Sequence, residues 1–168
     1  MKFLFFSLVL ILFSLSVVFY GSWETNNSEF TAQVKSFFFG GAMAGLTDAE
    51  YSHMYDVRFI FIILNLVLVA LLVFLYFSPP SLKEIKKGAL VCLFMPILAI
   101  LPFDKVFTWF HMIFFPQGNW EFNGGLLVST FTFSFFELLF IKWVIICVAL
   151  ALALVSISQY CISHHTNL

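Results

Sequence analysis

Two histidines lie where proton-transfer chemistry is possible. His53 stands in the stretch "AEYSHMYDVRF" and His111 in "WFHMIFFPQGNW", and both stretches are rich in aromatic residues. Histidine has an ordinary pKa of about 6.5, which suits it to accept and return protons near neutral pH. An ionisable side chain in apolar surroundings is costly, and in membrane proteins such side chains pair with each other or line a cavity. The sequence therefore predicts that His53 and His111 meet.

The residues around His53 predict the helix that carries it. Thr47 followed three residues later by Glu50 is the pattern of an N-terminal capping box, so a helix is expected to begin there. On such a helix Glu50, His53 and Asp56 share one face. A carboxylate one turn away can fix the tautomer of an imidazole and raise its basicity, so we expect Asp56 to hold His53.

His111 has a different setting. Phe107 and Phe115 stand four residues before and after it, so helical spacing gives the imidazole a mostly aromatic environment. A role without chemistry is open for both histidines. Each can be a satisfied residue at the membrane interface, and His111 can belong to an aromatic belt.

Composition sets the class of protein. Of the 168 residues, 62% are hydrophobic and 10% are charged, whereas about a quarter are charged in ordinary soluble domains. The formal net charge of −1 suggests no nucleic-acid partner. Cys92, Cys147 and Cys161 lie in or at the end of apolar runs without a CxxC pattern, so a thiolate metal site is not expected. The chain is predicted to be an all-α integral membrane protein.

Apolar runs long enough to cross the hydrocarbon core predict four transmembrane helices in one domain, residues 1–168. The expected spans are residues 3–20, 57–77, 88–102 and 136–158. The third is short and contains Pro96 and Pro102, so a kink or tilt is expected there.

Basic residues predict the orientation. Lys83, Lys86 and Lys87 lie between the second and third spans and Lys2 leads the first, so the positive-inside rule places these segments and both termini in the cytoplasm. The two long loops, residues 21–56 and 103–135, then face outward together. Both are too apolar for free linkers, and we expect interfacial or re-entrant pieces, with a bend at Gly40 and Gly41 in the first.

The two histidine segments resemble a known family. "LTDAEYSHMYDVRFIF" followed by "FHMIFFPQGNWEFNGGLL" is similar to the lipoprotein intramolecular transacylase family, Lit, small four-helix membrane proteins. The resemblance implies transfer of the sn-2 acyl chain of a diacylglyceryl-modified cysteine, at the N-terminus of a lipoprotein, to the α-amine of the same cysteine. The product is a lyso-form lipoprotein. The expected location is the outer face of the cytoplasmic membrane, and the expected partners are the diacylated lipoprotein and membrane lipid.

The resemblance also suggests roles for the residues already singled out. An α-amine has a pKa of about 8 and is mostly protonated at neutral pH, so it needs a base, for which a histidine is well matched. His53 or His111 is expected to be that base, and the other to assist the oxyanion or the departing glyceryl oxygen. Asp56 is expected to orient His53, with three further supporting residues: Glu50, Arg58 and Trp120. No cofactor or metal is expected.

Two other functions fit the residues themselves. Two histidines from different helices can ligate haem iron, although such ligands usually lie within the spans rather than at one edge. Alternatively, the protein is a non-catalytic scaffold or lipid-binding protein in which the histidines anchor helix ends. A metal site of His53, Asp56 and His111 is less favoured because it lacks a spacing such as HExxH.

Overall fold

The structure is a computed structural model that describes residues 1–21, 23–97 and 101–165. Those residues form helices and no strands, as the predicted all-α class requires. Seven helices are complete within them: α1 (Lys2–Tyr20), α2 (Ser28–Phe38), α3 (Asp48–Phe77), α4 (Leu82–Cys92), α5 (Phe103–Phe114), α6 (Leu126–Thr130) and α7 (Phe133–His165).

Three of these helices, α1, α3 and α7, are long and apolar enough to cross a membrane. They contain the predicted spans 3–20, 57–77 and 136–158. Helix α3 has 30 residues, more than the roughly 20 that cross the hydrocarbon core. Its charged residues all precede Phe59, so the charge-free stretch from Phe59 onwards is the part of α3 that suits the hydrocarbon core. The first turns of α3 lie outside that stretch.

The predicted third span, residues 88–102, is not among these long helices. Its first residues complete α4, which begins at Leu82 and ends at Cys92, and turns follow at residues 93–95. Pro96 explains the end of α4, because a proline ring clashes with the carbonyl four residues earlier and offers no N–H. Leu98, Ala99 and Ile100 lie outside the described residues.

The chain divides into two compact units. The first comprises Met1–Tyr20, Leu64–Leu101 and Phe140–Leu168. In it, α1 approaches α4 closely at Gly88, whose carbonyl accepts a hydrogen bond of 3.0 Å from the Ser7 hydroxyl. Cys92 and Cys147 are fully buried in the core of this unit as free thiols. They serve there as small packing residues.

The second unit comprises Gly21–Ile63 and Pro102–Leu139, and it carries both histidines. Helix α2 begins where Asn27 caps the backbone N–H of Phe30, and it buries an apolar face that includes Phe37. The chain turns after α2 at Gly40, whose φ of +101° favours a residue without a side chain. The first turns of α3, together with α5 and α6, complete the part of this unit that contains the candidate site.

Candidate active site

The first turn of α3 places His53 through the capping box that the sequence predicted. The Thr47 amide donates to Glu50 Oε2 at 2.9 Å, and the Glu50 amide donates to Thr47 Oγ1 at 3.3 Å. These two bonds satisfy amides at the start of the helix that have no partner within it. His53 then follows on the second turn, on the same face as Glu50.

Glu50 also connects α3 to α6. Its Oε1 accepts a hydrogen bond of 2.8 Å from the backbone amide of Leu127, and the side chain is 1% exposed. Burial opposes ionisation of this carboxyl, but the hydrogen bonds from Thr47 and Leu127 together outweigh it and lower its pKa. Gly125 permits the approach, because a Cβ there would collide with the Glu50 carboxylate. Glu50 is therefore a structural clamp within this unit.

Helix α5 turns its histidine inward and its apolar residues outward. His111 is its buried residue, whereas Trp109, Met112 and Ile113 are each more than half exposed. This is the reverse of an ordinary surface helix, and it suits a helix whose outer face lies against lipid. The imidazole is thus removed from water.

The tautomer of neutral His111 is fixed by the backbone. Nδ1 lies 2.8 Å from the carbonyl oxygen of Phe107, one turn earlier on α5. A carbonyl only accepts hydrogen bonds, so Nδ1 carries the proton and donates it. The other ring nitrogen, Nε2, then holds a lone pair that can accept a proton.

The structure brings the two predicted histidines together. Their ring centroids are 5.9 Å apart and their planes differ by 23°. Phe115 lies against both rings, at 4.6 Å from His53 and 5.4 Å from His111. His53 and His111 are 9% and 8% exposed, so each imidazole is largely enclosed. Nδ1 of His53 is buried and has no hydrogen-bond partner among the described residues.

Burial keeps both imidazoles neutral. It lowers the pKa of His53 to about 4, and the neighbouring His111 adds to this effect while Asp56 and Asn119 oppose it. Burial also lowers the pKa of His111, against the opposing hydrogen bond to the Phe107 carbonyl. At neutral pH the pair therefore holds no net charge, and each ring is able to take up a proton from a bound molecule.

His53 donates no hydrogen bond to Asp56. Asp56 Oδ2 accepts instead from Gln117 Nε2 at 2.7 Å and from Asn119 Nδ2 at 2.6 Å. The reason is competition: two amide groups on the loop after α5 reach the carboxylate at short distances. Asp56 acts on His53 only through its charge, which favours the imidazolium. Asp56 therefore does not hold the His53 ring by a hydrogen bond in this structure, and its role in orienting His53 stays a prediction.

Trp120 and Arg58, both expected to support the histidines, lie in different places. Trp120 contacts His111, with ring centroids 4.8 Å apart. Arg58 lies over the Phe37 ring, with its guanidinium carbon 5.1 Å from the ring centroid. It is five residues after His53, which places it about 140° around α3. Arg58 lines an open groove there together with Tyr55, Phe59 and Ile62, away from the face that carries His53.

Sequence reasoning missed three side chains near the pair. Gln117 and Asn119 bind Asp56, and Phe122 contacts His53 with ring centroids 5.6 Å apart. All three lie in the irregular segment between α5 and α6, where no helical periodicity indicates which side chains point inward. The one available signal was the polar sequence "QGN" within an otherwise aromatic stretch.

The arrangement can move protons in a place from which water is largely excluded. Two neutral imidazoles contribute one fixed lone pair, on His111, and one unpartnered ring nitrogen, on His53. Aromatic rings surround both, and a carboxylate stands one helical turn from His53. Such a site can take a proton from a nucleophile and donate a hydrogen bond to a developing oxyanion.

Comparison with known proteins adds one match. The family model described as lipoprotein intramolecular transacylase Lit matches residues 24–136. The matched region contains both histidines, Asp56 and the loop between α5 and α6. No curated protein and no solved structure matches the chain.

Proposed function

We propose that this chain, which belongs to the lipoprotein intramolecular transacylase family and is therefore an acyltransferase, moves the sn-2 acyl chain of a diacylglyceryl-cysteine to the α-amine of the same cysteine. The observation that carries this proposal is the contact between the buried imidazoles of His53 and His111. A reaction within one substrate molecule needs no nucleophile from the protein. It needs a base for the amine, a donor for the oxyanion and an apolar enclosure.

His111 is the base in this proposal. Its Nδ1–H is committed to the Phe107 carbonyl, so Nε2 is the atom that presents a lone pair. The α-amine of the cysteine is mostly protonated at neutral pH. Burial lowers the pKa of His111, but the attacking nitrogen becomes more acidic as it bonds to the carbonyl carbon, so the neutral imidazole can remove its proton during attack. Positioned general bases of this kind contribute roughly 10²- to 10⁴-fold to a rate.

His53 assists the oxygen atoms. In the tautomer that carries the proton on its unpartnered Nδ1, His53 can donate a hydrogen bond to the carbonyl oxygen as that oxygen becomes negative. The amine nitrogen forms a bond to the ester carbonyl carbon, and the bond from that carbon to the glyceryl oxygen breaks. The ammonium loses two protons in all: one passes through His111 to the glyceryl oxygen and the other is released to water, so the products are an amide and a free hydroxyl. Both histidines end the cycle neutral.

The exposed apolar residues of α5 suggest where the acyl chains lie. Trp109, Met112 and Ile113 project from the face opposite His111 and present a lipid-like surface. We propose that α5 lies along the outer leaflet of the cytoplasmic membrane, where a lipid-anchored substrate can approach from the side. This orientation is supported by Lys2, Lys83, Lys86 and Lys87. In this proposal residues 88–102 remain a fourth crossing, so that both termini lie in the cytoplasm.

Expression in cells whose lipoproteins are diacylated tests the reaction. Mass spectrometry of a lipoprotein N-terminus should show one acyl chain moved from glycerol to the amine when the protein is present. His53→Gln and His111→Gln should each reduce this conversion by at least roughly 10²-fold while the protein remains folded in the membrane.

The matched control is His164→Gln, at an exposed position near the end of α7. That variant should convert lipoproteins as the original protein does. The proposal fails if the original protein moves no acyl chain. It also fails if either histidine variant keeps full conversion, which is the result expected of a scaffold.

A further inference from the structure

Asp56 is a carboxylate without a cation. Its Oδ2 binds two neutral amide groups, from Gln117 and Asn119, and its Oδ1 has no hydrogen bond within the described residues. No Lys, Arg or His nitrogen of the described chain lies within 4.0 Å of it. The amides hold the carboxylate in place but leave its charge unbalanced.

The loop that holds Asp56 also contacts the histidine pair. Asn119 donates to Asp56, reaches Ser52 Oγ at 3.3 Å, and accepts from Gln117 at 3.2 Å. The next residue, Trp120, lies against His111. One short segment therefore fixes the carboxylate and one wall of the imidazole site. The hydrogen bonds from Gln117 and Asn119 thus hold Asp56 against the segment that also contacts the pair.

We infer that Asp56 binds the α-ammonium group of the substrate, so that the enzyme recognises a lipid-anchored cysteine by its free N-terminus before the acyl chain moves. This inference rests on the proposed function for the identity of the substrate. A primary ammonium carries three N–H donors and one positive charge, which complements a half-buried carboxylate with a free oxygen. The same groups that fix Oδ2 leave Oδ1 available for that contact.

Recognition of the charge separates substrate from product. The amide formed by acyl transfer has no positive charge and only one N–H, so it loses the ion pair with Asp56. A hydrogen bond between charged partners contributes enough that its loss should weaken binding roughly 10- to 100-fold. Lipoproteins that are already N-acylated should therefore bind poorly, and product should leave.

The ammonium contact also explains why the site needs a base nearby. A carboxylate partner favours the protonated amine, which is the form that cannot attack. The substrate is thus held in its unreactive form until the proton is removed at the imidazole pair. Binding and activation are assigned to different side chains.

Binding of two synthetic probes tests the inference. Both are lipopeptides in which ether-linked alkyl chains replace the acyl esters of the diacylglyceryl-cysteine, so neither can be turned over. One carries a free α-amine and the other an N-acetyl group. The full-length protein in detergent micelles should bind the free amine roughly 10- to 100-fold more tightly. In Asp56→Asn the two probes should bind alike, at the affinity of the N-acetyl probe.

Asp104→Asn is the matched control, because it removes one carboxylate from the same unit at an exposed position beside Lys105. It should keep the preference for the free amine. Equal binding of both probes by the original protein would overturn the inference, and so would a preference that survives in Asp56→Asn.

Salt dependence keeps the test decisive if Asp56→Asn does not fold. The preference of the original protein should shrink between low salt and 1 M salt, roughly where the screening length falls to about 3 Å. A preference unchanged by salt would overturn the ionic contact. Because the probes carry no transferable acyl group, these results are independent of the conversion assay, whose failure would instead overturn the proposed reaction.

Discussion

Replacement of His53 by phenylalanine should change how the stability of the protein depends on pH. The imidazole lies between aromatic rings, with centroids 4.6 Å from Phe115 and 5.6 Å from Phe122. A phenyl ring is close in size to imidazole and matches these apolar neighbours. We therefore expect His53→Phe to fold and to be at least as stable as the original protein at pH 7.

The magnitude follows from the pKa of His53. Burial lowers this pKa from the ordinary 6.5 to about 4. The unfolded chain therefore binds a proton at His53 more readily than the folded protein does. Stability attributable to this group is complete above pH 6.5 and is lost as the pH falls towards 4. At about 1.36 kcal/mol for each pKa unit, the full loss is about 3 kcal/mol.

Chemical unfolding in a mild detergent between pH 7 and pH 4 measures this effect. Between pH 7 and pH 4 the free energy of unfolding of the original protein should fall by about 3 kcal/mol more than that of His53→Phe. Carboxylates such as Glu50 titrate in both proteins and cancel in the comparison. His164→Phe, at an exposed position, should leave the slope unchanged. Parallel pH profiles for the original protein and His53→Phe would refute the assignment of a buried, neutral imidazole.

Three further substitutions test packing contacts. Glu50→Gln should lower the free energy of unfolding by about 2 to 4 kcal/mol, because the glutamine NH2 group cannot accept a hydrogen bond and leaves one backbone amide without a partner. A loss below about 1 kcal/mol would contradict the role of Glu50 as a clamp. Gly125→Ala should cost at least about 2 kcal/mol and slow acyl transfer, since φ is +110° and a methyl group would meet Glu50; a stable, fully active variant would disprove this. Gly88→Ala should lower the free energy of unfolding by about 1 to 3 kcal/mol, because its Cβ would lie 2.7 Å from the Phe3 carbonyl oxygen. An unchanged melting temperature would show that α1 and α4 separate freely.

Local patterns in the sequence predicted the helices that have strong local signals. The apolar runs at residues 3–20, 57–77 and 136–158 fall within α1, α3 and α7, because a helix satisfies its own backbone wherever a long apolar run must leave water. Thr47 and Glu50 marked the start of α3, since a capping box depends on residues three positions apart. The interrupted third apolar run gave a different result, because Pro96 ends α4 at Cys92.

The candidate site depended on contacts between distant segments. The two histidines were found from their residue type and aromatic surroundings, and chemistry alone predicted that two ionisable groups in an apolar place would pair. Which amides would reach Asp56 depended on the path of the chain after α5, and that path follows no repeating pattern. The position of Arg58 over Phe37 depended on how α2 packs on the first turns of α3.

The sequence by itself thus determined the membrane class, the long helices and the two imidazoles, because each is set by local composition or spacing. The tertiary structure decided the unpartnered nitrogen of His53 and the free oxygen of Asp56. Those features arise where residues up to 63 positions apart in the chain meet, and a hydrogen bond between such residues competes with every other partner that the fold brings near.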